Sequence, residues 1–448
     1  MTLSEKTARG NEPLSALEPQ RETAGPTRGR LRSLGRRIAD LGPFALIFAT
    51  YSLLVDHLPN QWFSQDWVRY AFAVLAALCM GIALKWLVQR PGLQRFVGPS
   101  LAAGTMLPGA REPRPRSFVS ARQIMEGTRS RLMADLRTAS GTRGEVFGWS
   151  QFMGEQVPPS AIGTSYGLRI ALALDLREAR LDRRRLVDNV VALQRPAGGW
   201  VARSQQDVAR PEVTAWVLTA LVRTGLDPAI RSELVGQLER MMTPEVDGVG
   251  WQRVTVLSSA ISALAEVAPA SAKLDELTTH LVEGAVRQQA EGEPACMAWG
   301  MTVNHGSAPS VPHTARAVVA LRKAAQAVRG DRREKLDECV DAGIEWLIRN
   351  SHYDVTDEQL RRLTSAGDAM DTIIVGHFTP AWVARALMCR AVDERRLPHL
   401  QQAVRAVLDL QENGVWKWKE ERKEPTWMTY QGVLVVRDYS MLNLPWPP

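Results

Sequence analysis

The sequence predicts an all-α fold: an α/α toroid of six helical hairpins, preceded by a two-helix transmembrane hairpin. Two observations point to the toroid. Trp-bearing loops recur between residues 120 and 448, and each is followed by a helix start rich in small residues. Those starts, at Ser165, Thr214, Leu257, Thr314, Pro380 and Thr429, lie 49, 43, 57, 66 and 49 residues apart. A period of about 40–50 residues with two helices per unit marks a repeat architecture. The third observation, two apolar stretches at 41–55 and 70–88, points to the membrane hairpin.

In chain order, residues 1–40 are polar, with Pro, Gly, Thr, Arg and Glu, and are expected to form a disordered cytoplasmic tail. Residues 41–90 would hold the two spans. The first is short for a bilayer, and the second carries Lys85 near its end, where the side chain can snorkel. Trp62, Phe63, Trp67, Tyr70 and Trp86 lie near the ends, as an aromatic belt would. Five Arg between positions 28 and 37 and five between 90 and 116 flank the pair. Positive charge on both flanks places both termini in the cytoplasm, as in a multi-pass inner-membrane protein. The net charge of +7 suits a chain resting on an anionic leaflet, so a lipid membrane is an expected partner. A buried helical hairpin of a soluble protein is the alternative reading of 41–90. Residues 91–119, rich in Pro, Gly and Arg, form a linker, and 120–448 form the toroid.

Each repeat has a physical reading. Before a Trp loop runs a helix with apolar residues at helical spacing, such as Leu400, Val404, Val407 and Leu408, or Leu186, Val190, Val191 and Leu193. After it comes a helix rich in Ala, Leu, Val and Ser with little charge, which suits burial on most sides. An outer amphipathic helix and an inner apolar one, repeated, would line a central cavity. One unit cannot bury its own apolar face, so stacking is obligatory.

The clearest loop, Gln194-Arg-Pro-Ala-Gly-Gly-Trp200, matches the Q-x3-G-x-W core of the QW motif of squalene and terpene cyclases. Thr214-Ala215 is similar to the T-A pair that opens an inner helix in those enzymes. The toroid region therefore resembles one barrel of the squalene/terpene cyclase and protein prenyltransferase β-subunit class. The other loops are degenerate: Gln411 to Trp416 is one residue short, and the loop before Pro380 has no Trp. Such a motif implies a structural staple, with Gln bonding the loop and Trp packing against the next repeat. It accounts for a chain with 14 Trp but only 9 Phe and 6 Tyr.

The resemblance also implies chemistry that this chain has largely lost. Class II cyclases protonate an alkene with D-x-D-D-T-A. Here the run is Arg210-Pro-Glu-Val-Thr-Ala215, and only Glu212 keeps an acid. Glu212 is either a proton donor or a first-turn charge complementing the helix dipole. The prenyltransferases hold zinc with Asp, Cys and His. No D-x-C pair exists here, and His305 and His313 are eight apart, so no metal and no cofactor is expected. Asp368, Asp371 and His377 cluster in the loop before Pro380. They would serve acid–base chemistry or bind a cation, or Asp368 would cap a short helix containing Asp371. Trp216, His313, His377, Trp382, Trp427 and Tyr430 are candidates to line the cavity.

Four cysteines, Cys79, Cys296, Cys339 and Cys389, make no disulfide framework and suit a reducing compartment. The Arg residues are spread over many helices with no aromatic-basic motif, which argues against nucleic acid. Two function classes remain. One is a membrane-tethered binding or effector module gripping a lipid, peptide or partner protein. The other is an enzyme acting on an isoprenoid or other membrane-derived lipid. An aromatic cavity with one isolated, desolvated acid would favour the enzyme.

Overall fold

A computed structural model of the chain describes residues 120–447, except 142–143, 203–207, 247, 290–293, 305, 364–369 and 419–422. Within them each hairpin is an outer helix followed by an inner one. These are α1 (Ala121–Asp135) and α2 (Ala161–Ala173), then α3 (Arg183–Ala192) and α4 (Pro211–Arg223). Next come α5 (Pro228–Met241) and α7 (Val254–Val267), with the short α6 (Gly248–Gln252) between them. The last three are α8 (Ala272–Glu283) with α9 (Val311–Ala327), α10 (Asp331–Asn350) with α11 (Thr379–Leu387), and α12 (Leu397–Asp409) with α13 (Thr426–Met441).

The inner helices form a closed ring. α2 packs on α4, α4 on α7, α7 on α9, α9 on α11, α11 on α13, and α13 returns to α2. Their composition explains the position: α7 buries Val254 to Ile261 without a break, and α13 buries Met428 to Val436. The outer helices bury one stripe, as α12 does with Leu400, Ala403, Val404 and Val407. Proline at the first or second position opens α4, α5, α9, α11 and α12, where its missing N–H is no loss.

The Trp loops act as staples in four of the six units. The indole N–H of Trp149, Trp200, Trp299 and Trp416 donates to a carbonyl in the preceding outer helix: Leu132, Val190, Leu281 and Val407, at 2.8, 2.8, 2.7 and 2.8 Å. The backbone N–H of the same Trp donates to a threonine at the inner-helix start: Thr164, Thr214, Thr314 and Thr429. The first unit uses Thr164 rather than Ser165, one residue from the expected anchor. Gln194 Nε2 donates to Gln237 Oε1 on α5 at 2.6 Å, and Gly199 N–H donates to the same oxygen. All four Trp are fully buried. In the remaining units Trp251 stacks on His280, with ring centroids 4.5 Å apart, and Phe378, the N-cap of α11, is fully buried.

The fold is mostly helical rather than purely so. Four antiparallel β-hairpins join β1 (Arg137–Gly141) to β2 (Gly144–Gly148), β4 (Val286–Gln288) to β5 (Cys296–Ala298), β6 (Thr356–Leu363) to β7 (Met370–His377), and β8 (Gln411–Glu412) to β9 (Val415–Trp416). A further pair, β3 (Phe152–Met153) with β10 (Glu424–Pro425), ties the first hairpin to the last. Thr426 strengthens that tie, its hydroxyl donating to the carbonyls of Ser150 and Gln151 at 3.0 and 2.9 Å.

The expectation of a multi-pass inner-membrane protein is corrected. Among the described residues no helix is long and apolar enough to cross a membrane. The apolar inner helices run only 9 to 17 residues, and the longest outer helix, α10, is charged along its length. The stretches 41–55 and 70–88, on which the two-span hairpin rested, lie outside the described residues.

Candidate functional site

The inner ring encloses a cavity of about 120 Å³. It opens into a wider vestibule of about 630 Å³, and the two share Gln151, Ile374, Gly376 and Trp427. Tyr166, Trp216, Trp382 and Trp427 give the cavity aromatic walls. Arg169, Arg316, Lys323 and Arg385 also line it, against one carboxylate among the described residues, Glu212. Each cation sits on a helix that the ring turns inward: Arg169 on α2, Arg316 and Lys323 on α9, Arg385 on α11.

These cations are held by rings more than by counter-ions. Arg169 lies 4.3 Å from the Tyr430 ring centroid, and Arg316 and Arg385 lie 4.4 and 4.7 Å from that of Trp382. Arg385 also donates to Gln431 Oε1 at 2.6 Å. Lys323 reaches Glu266 at 3.4 Å, a carboxylate already paired with Arg223. Among the described residues no carboxylate pairs with Arg169, Arg316 or Arg385, and the Nε atoms of Arg169 and Arg316 are buried without a partner. Burial pushes Arg316 down to about 10 and lowers Lys323 and Arg385. Burial would raise Tyr430, but the guanidiniums of Arg169, Arg223 and Arg385 outweigh it and bring the phenol down to about 8. Tyr166 beside it, 5.7 Å between ring centroids, is pushed up to about 12 by burial.

A second cluster stands next to this wall. The strand alternation of β6 turns Glu358 and Leu360 inward and leaves Asp357, Gln359 and Arg361 exposed. Glu358 Oε2 accepts from the Thr255 hydroxyl at 2.8 Å and lies 3.2 Å from His313 Nε2 and 3.3 Å from His377 Nε2. Arg253 reaches the other oxygen at 3.5 Å. His313 Nδ1 is 3.0 Å from the Ser310 hydroxyl. The two imidazoles meet edge to face, with centroids 4.9 Å apart. His377 is out of line with Glu358, so both its ring nitrogens lack a hydrogen bond. Burial pushes Glu358 up, but the two imidazoles outweigh it and hold the carboxyl far below the usual range. Burial lowers His377 to about 4, leaving it neutral near pH 7.

The candidates from sequence are therefore distributed unequally. Glu212 is fully buried in the first turn of α4 and lines the cavity, as do Trp216, Trp382 and Trp427. Trp216 donates to Ser259 Oγ at 3.1 Å. Tyr430 stands behind Arg169, outside the cavity lining. His313 and His377 turn to Glu358 instead of the cavity. Asp368 lies outside the described residues. Asp371 sits on strand β7 opposite Arg362, which corrects the expectation of a short capped helix there. The sequence reading named no metal-ligating group, and the fold brings one candidate set together. His313, Glu358 and His377 offer ligand atoms that all lie within 4.8 Å of one another. Spacing to His305 could not reveal them, because the partners of His313 are 45 and 64 residues downstream. The four cavity cations and Glu358 were missed outright. A lone Arg or Lys in an apolar helix was the available signal.

No family model matches the chain, and no curated protein does. Solved structures of similar chain course include an α-1,6-mannanase of glycoside hydrolase family 76 from Salegentibacter sp. HEL1_6. It has a TM-score of 0.46 at 11% identity, covering 72% of this chain and 100% of that one. The type II terpene cyclase MstE from Scytonema gives 0.41 at 14% identity, covering 72% and 98%. A family 76 glycoside hydrolase from a bovine Bacteroides thetaiotaomicron strain gives 0.42 at 7%, covering 73% and 79%. The terpene cyclase is of the class that the QW loop resembles. None of these likenesses assigns a substrate or a residue role to this chain.

Proposed function

We propose that the toroid binds an anionic lipid, such as a phosphorylated isoprenoid, with the charged head in the cavity and the apolar body in the vestibule. The observation that carries this is a set of four cations, Arg169 and Arg316 buried and Lys323 and Arg385 half-buried, facing one cavity against a single carboxylate among the described residues. A buried charge without a partner costs several kcal/mol. An anion entering the cavity would offset that cost with charge-assisted hydrogen bonds. Phe152, Ile374, Trp418 and Trp427 give the vestibule an apolar side for the body. A cavity of about 120 Å³ admits a head group but not a peptide chain, which disfavours a protein ligand there.

The test is calorimetric titration of the full chain with pyrophosphate, farnesyl diphosphate and oleate. Farnesyl diphosphate should bind more tightly than pyrophosphate. Arg316→Met and Arg385→Met should each weaken it at least about tenfold, since a hydrogen bond to a charged group contributes about 1.5–3 kcal/mol. If none of the three probes binds the folded chain, the reading is wrong.

A second reading, an enzyme acting on that lipid, rests on Glu212, the one carboxylate among the described cavity-lining residues. Glu212→Gln should leave anion binding intact or tighten it, because it removes negative charge. In the enzyme reading the same variant abolishes turnover; unchanged in-cell function of Glu212→Gln would remove this second reading.

A further inference from the structure

We propose that His313, Glu358 and His377 form a binding site for a divalent transition-metal ion, with zinc as the probe. Three elements far apart in sequence deliver these side chains to one point: the start of α9, strand β6 and the end of β7. Two imidazoles and one carboxylate are a familiar donor set for zinc and for iron(II). The geometry fits. Ligands about 2.0–2.1 Å from a tetrahedral zinc stand about 3.3 Å from each other. Glu358 Oε2 is 3.2 Å from His313 Nε2 and 3.3 Å from His377 Nε2.

The surroundings support the ligands as outer partners of a metal site do. The Ser310 hydroxyl oxygen, 3.0 Å from His313 Nδ1, can accept a hydrogen bond from Nδ1–H and so leave the lone pair on Nε2. Thr255 and Arg253 fix the carboxylate. The alternative is a polar cluster complete in itself, with Glu358 as its common acceptor. It leaves His377 1% exposed with two nitrogens and no hydrogen bond. An unsatisfied buried polar group costs about 1–3 kcal/mol. A metal on Nε2 satisfies one of those two nitrogens.

Three protein ligands leave at least one coordination position for water or a bound group. The site also has a structural consequence. It would tie the β6–β7 hairpin to α9, and that hairpin contributes Ile374, Val375 and Gly376 to the cavity wall. This inference does not rest on the anionic-lipid reading. Metal content and anion titration are separate measurements, and either can fail alone.

The experiment uses the full chain, stripped with a chelator and titrated with Co2+ followed by visible absorption, then reloaded with Zn2+ and assayed by plasma mass spectrometry. The expected result is about one metal per chain, with the visible bands of a four- or five-coordinate cobalt site. His377→Ala and Glu358→Gln should abolish those bands. Ser310→Ala, which touches only an outer partner, should weaken Co2+ binding by about 10–100-fold. The stripped wild-type chain is itself decisive, so a variant that fails to fold does not stall the test. Absence of stoichiometric Co2+ or Zn2+ on folded wild-type chain overturns the proposal. Equal metal binding by folded His377→Ala also overturns it.

Discussion

At the residue scale, the Trp staple combines ring burial with two hydrogen bonds. Trp200 is fully buried, donates its indole N–H to Val190 and its backbone N–H to Thr214, and does not line the central cavity. Trp200→Ala should destabilise by about 3–5 kcal/mol, the cost of emptying a large aromatic site. Trp200→Phe should cost less, because it keeps most of the packing and strands only the Val190 carbonyl. Thermal melting of the two variants checks the order, and an unchanged melting temperature for Trp200→Ala would refute the staple. The cations act on a residue outside the cavity too. Tyr430 ionises near 8 in the folded chain against an ordinary value of 10.0, so its folded value is depressed. Its contribution to stability is present above pH 10, and is lost as pH falls through 8. Ultraviolet titration should therefore show one tyrosine ionising near pH 8 and not in Tyr430→Phe. A first tyrosine step at pH 10 or above in the wild type would contradict the cationic surroundings.

At the element scale, glycines decide how closely helices approach the Trp rings. A Cβ on Gly167 would stand 2.2 Å from the Trp149 ring, and one on Gly432 2.2 Å from the Trp416 ring. Gly432→Ala therefore has to displace Trp416 and should lower the melting temperature, whereas an alanine is otherwise the better helix former. A rise in melting temperature would mean that the ring is loosely held. The β3–β10 tie closes the ring between the first and last units. Thr426→Val keeps shape but leaves the Ser150 and Gln151 carbonyls without that donor, at a cost of about 1–3 kcal/mol. Urea denaturation measures it, and a midpoint equal to that of the wild type would show that the tie contributes nothing.

At the scale of the whole molecule, the ring trades stability for a charged interior. Arg316 lies in the wall of the cavity with a buried Nε and no carboxylate partner among the described residues. Arg316→Met should make the ligand-free chain more stable, by an amount of the order of 1–4 kcal/mol, as when buried charges give way to apolar side chains. The same variant should weaken anion binding at least about tenfold. A variant that is less stable and still binds would show that Arg316 has a structural role instead.

Much of this architecture is local information. The spacing of Leu400, Val404 and Val407, the Trp loops and the threonines that follow them carry the hairpins, because helical periodicity and a repeat period are properties of nearby residues. Ring closure was an inference from the count of hairpins, and the α13–α2 contact bears it out. The β6–β7 hairpin was not read from sequence, since its polar run, Thr356 to Leu363, alternates weakly in residue type and is ordered by burial of one face. The sites were legible only in part: Glu212, Trp216, Trp382, Trp427, His313 and His377 stood among the candidates, but the cations and Glu358 did not. Arg169, Arg316, Lys323 and Arg385 are isolated charges in apolar helices, and only the closure of the ring brings them to one cavity. Glu358 and His377 meet His313 because a strand pairing and a helix packing act together. Charge complementarity and metal-ligand geometry depend on distances of a few ångströms between segments far apart in the chain, and tertiary packing alone sets those distances.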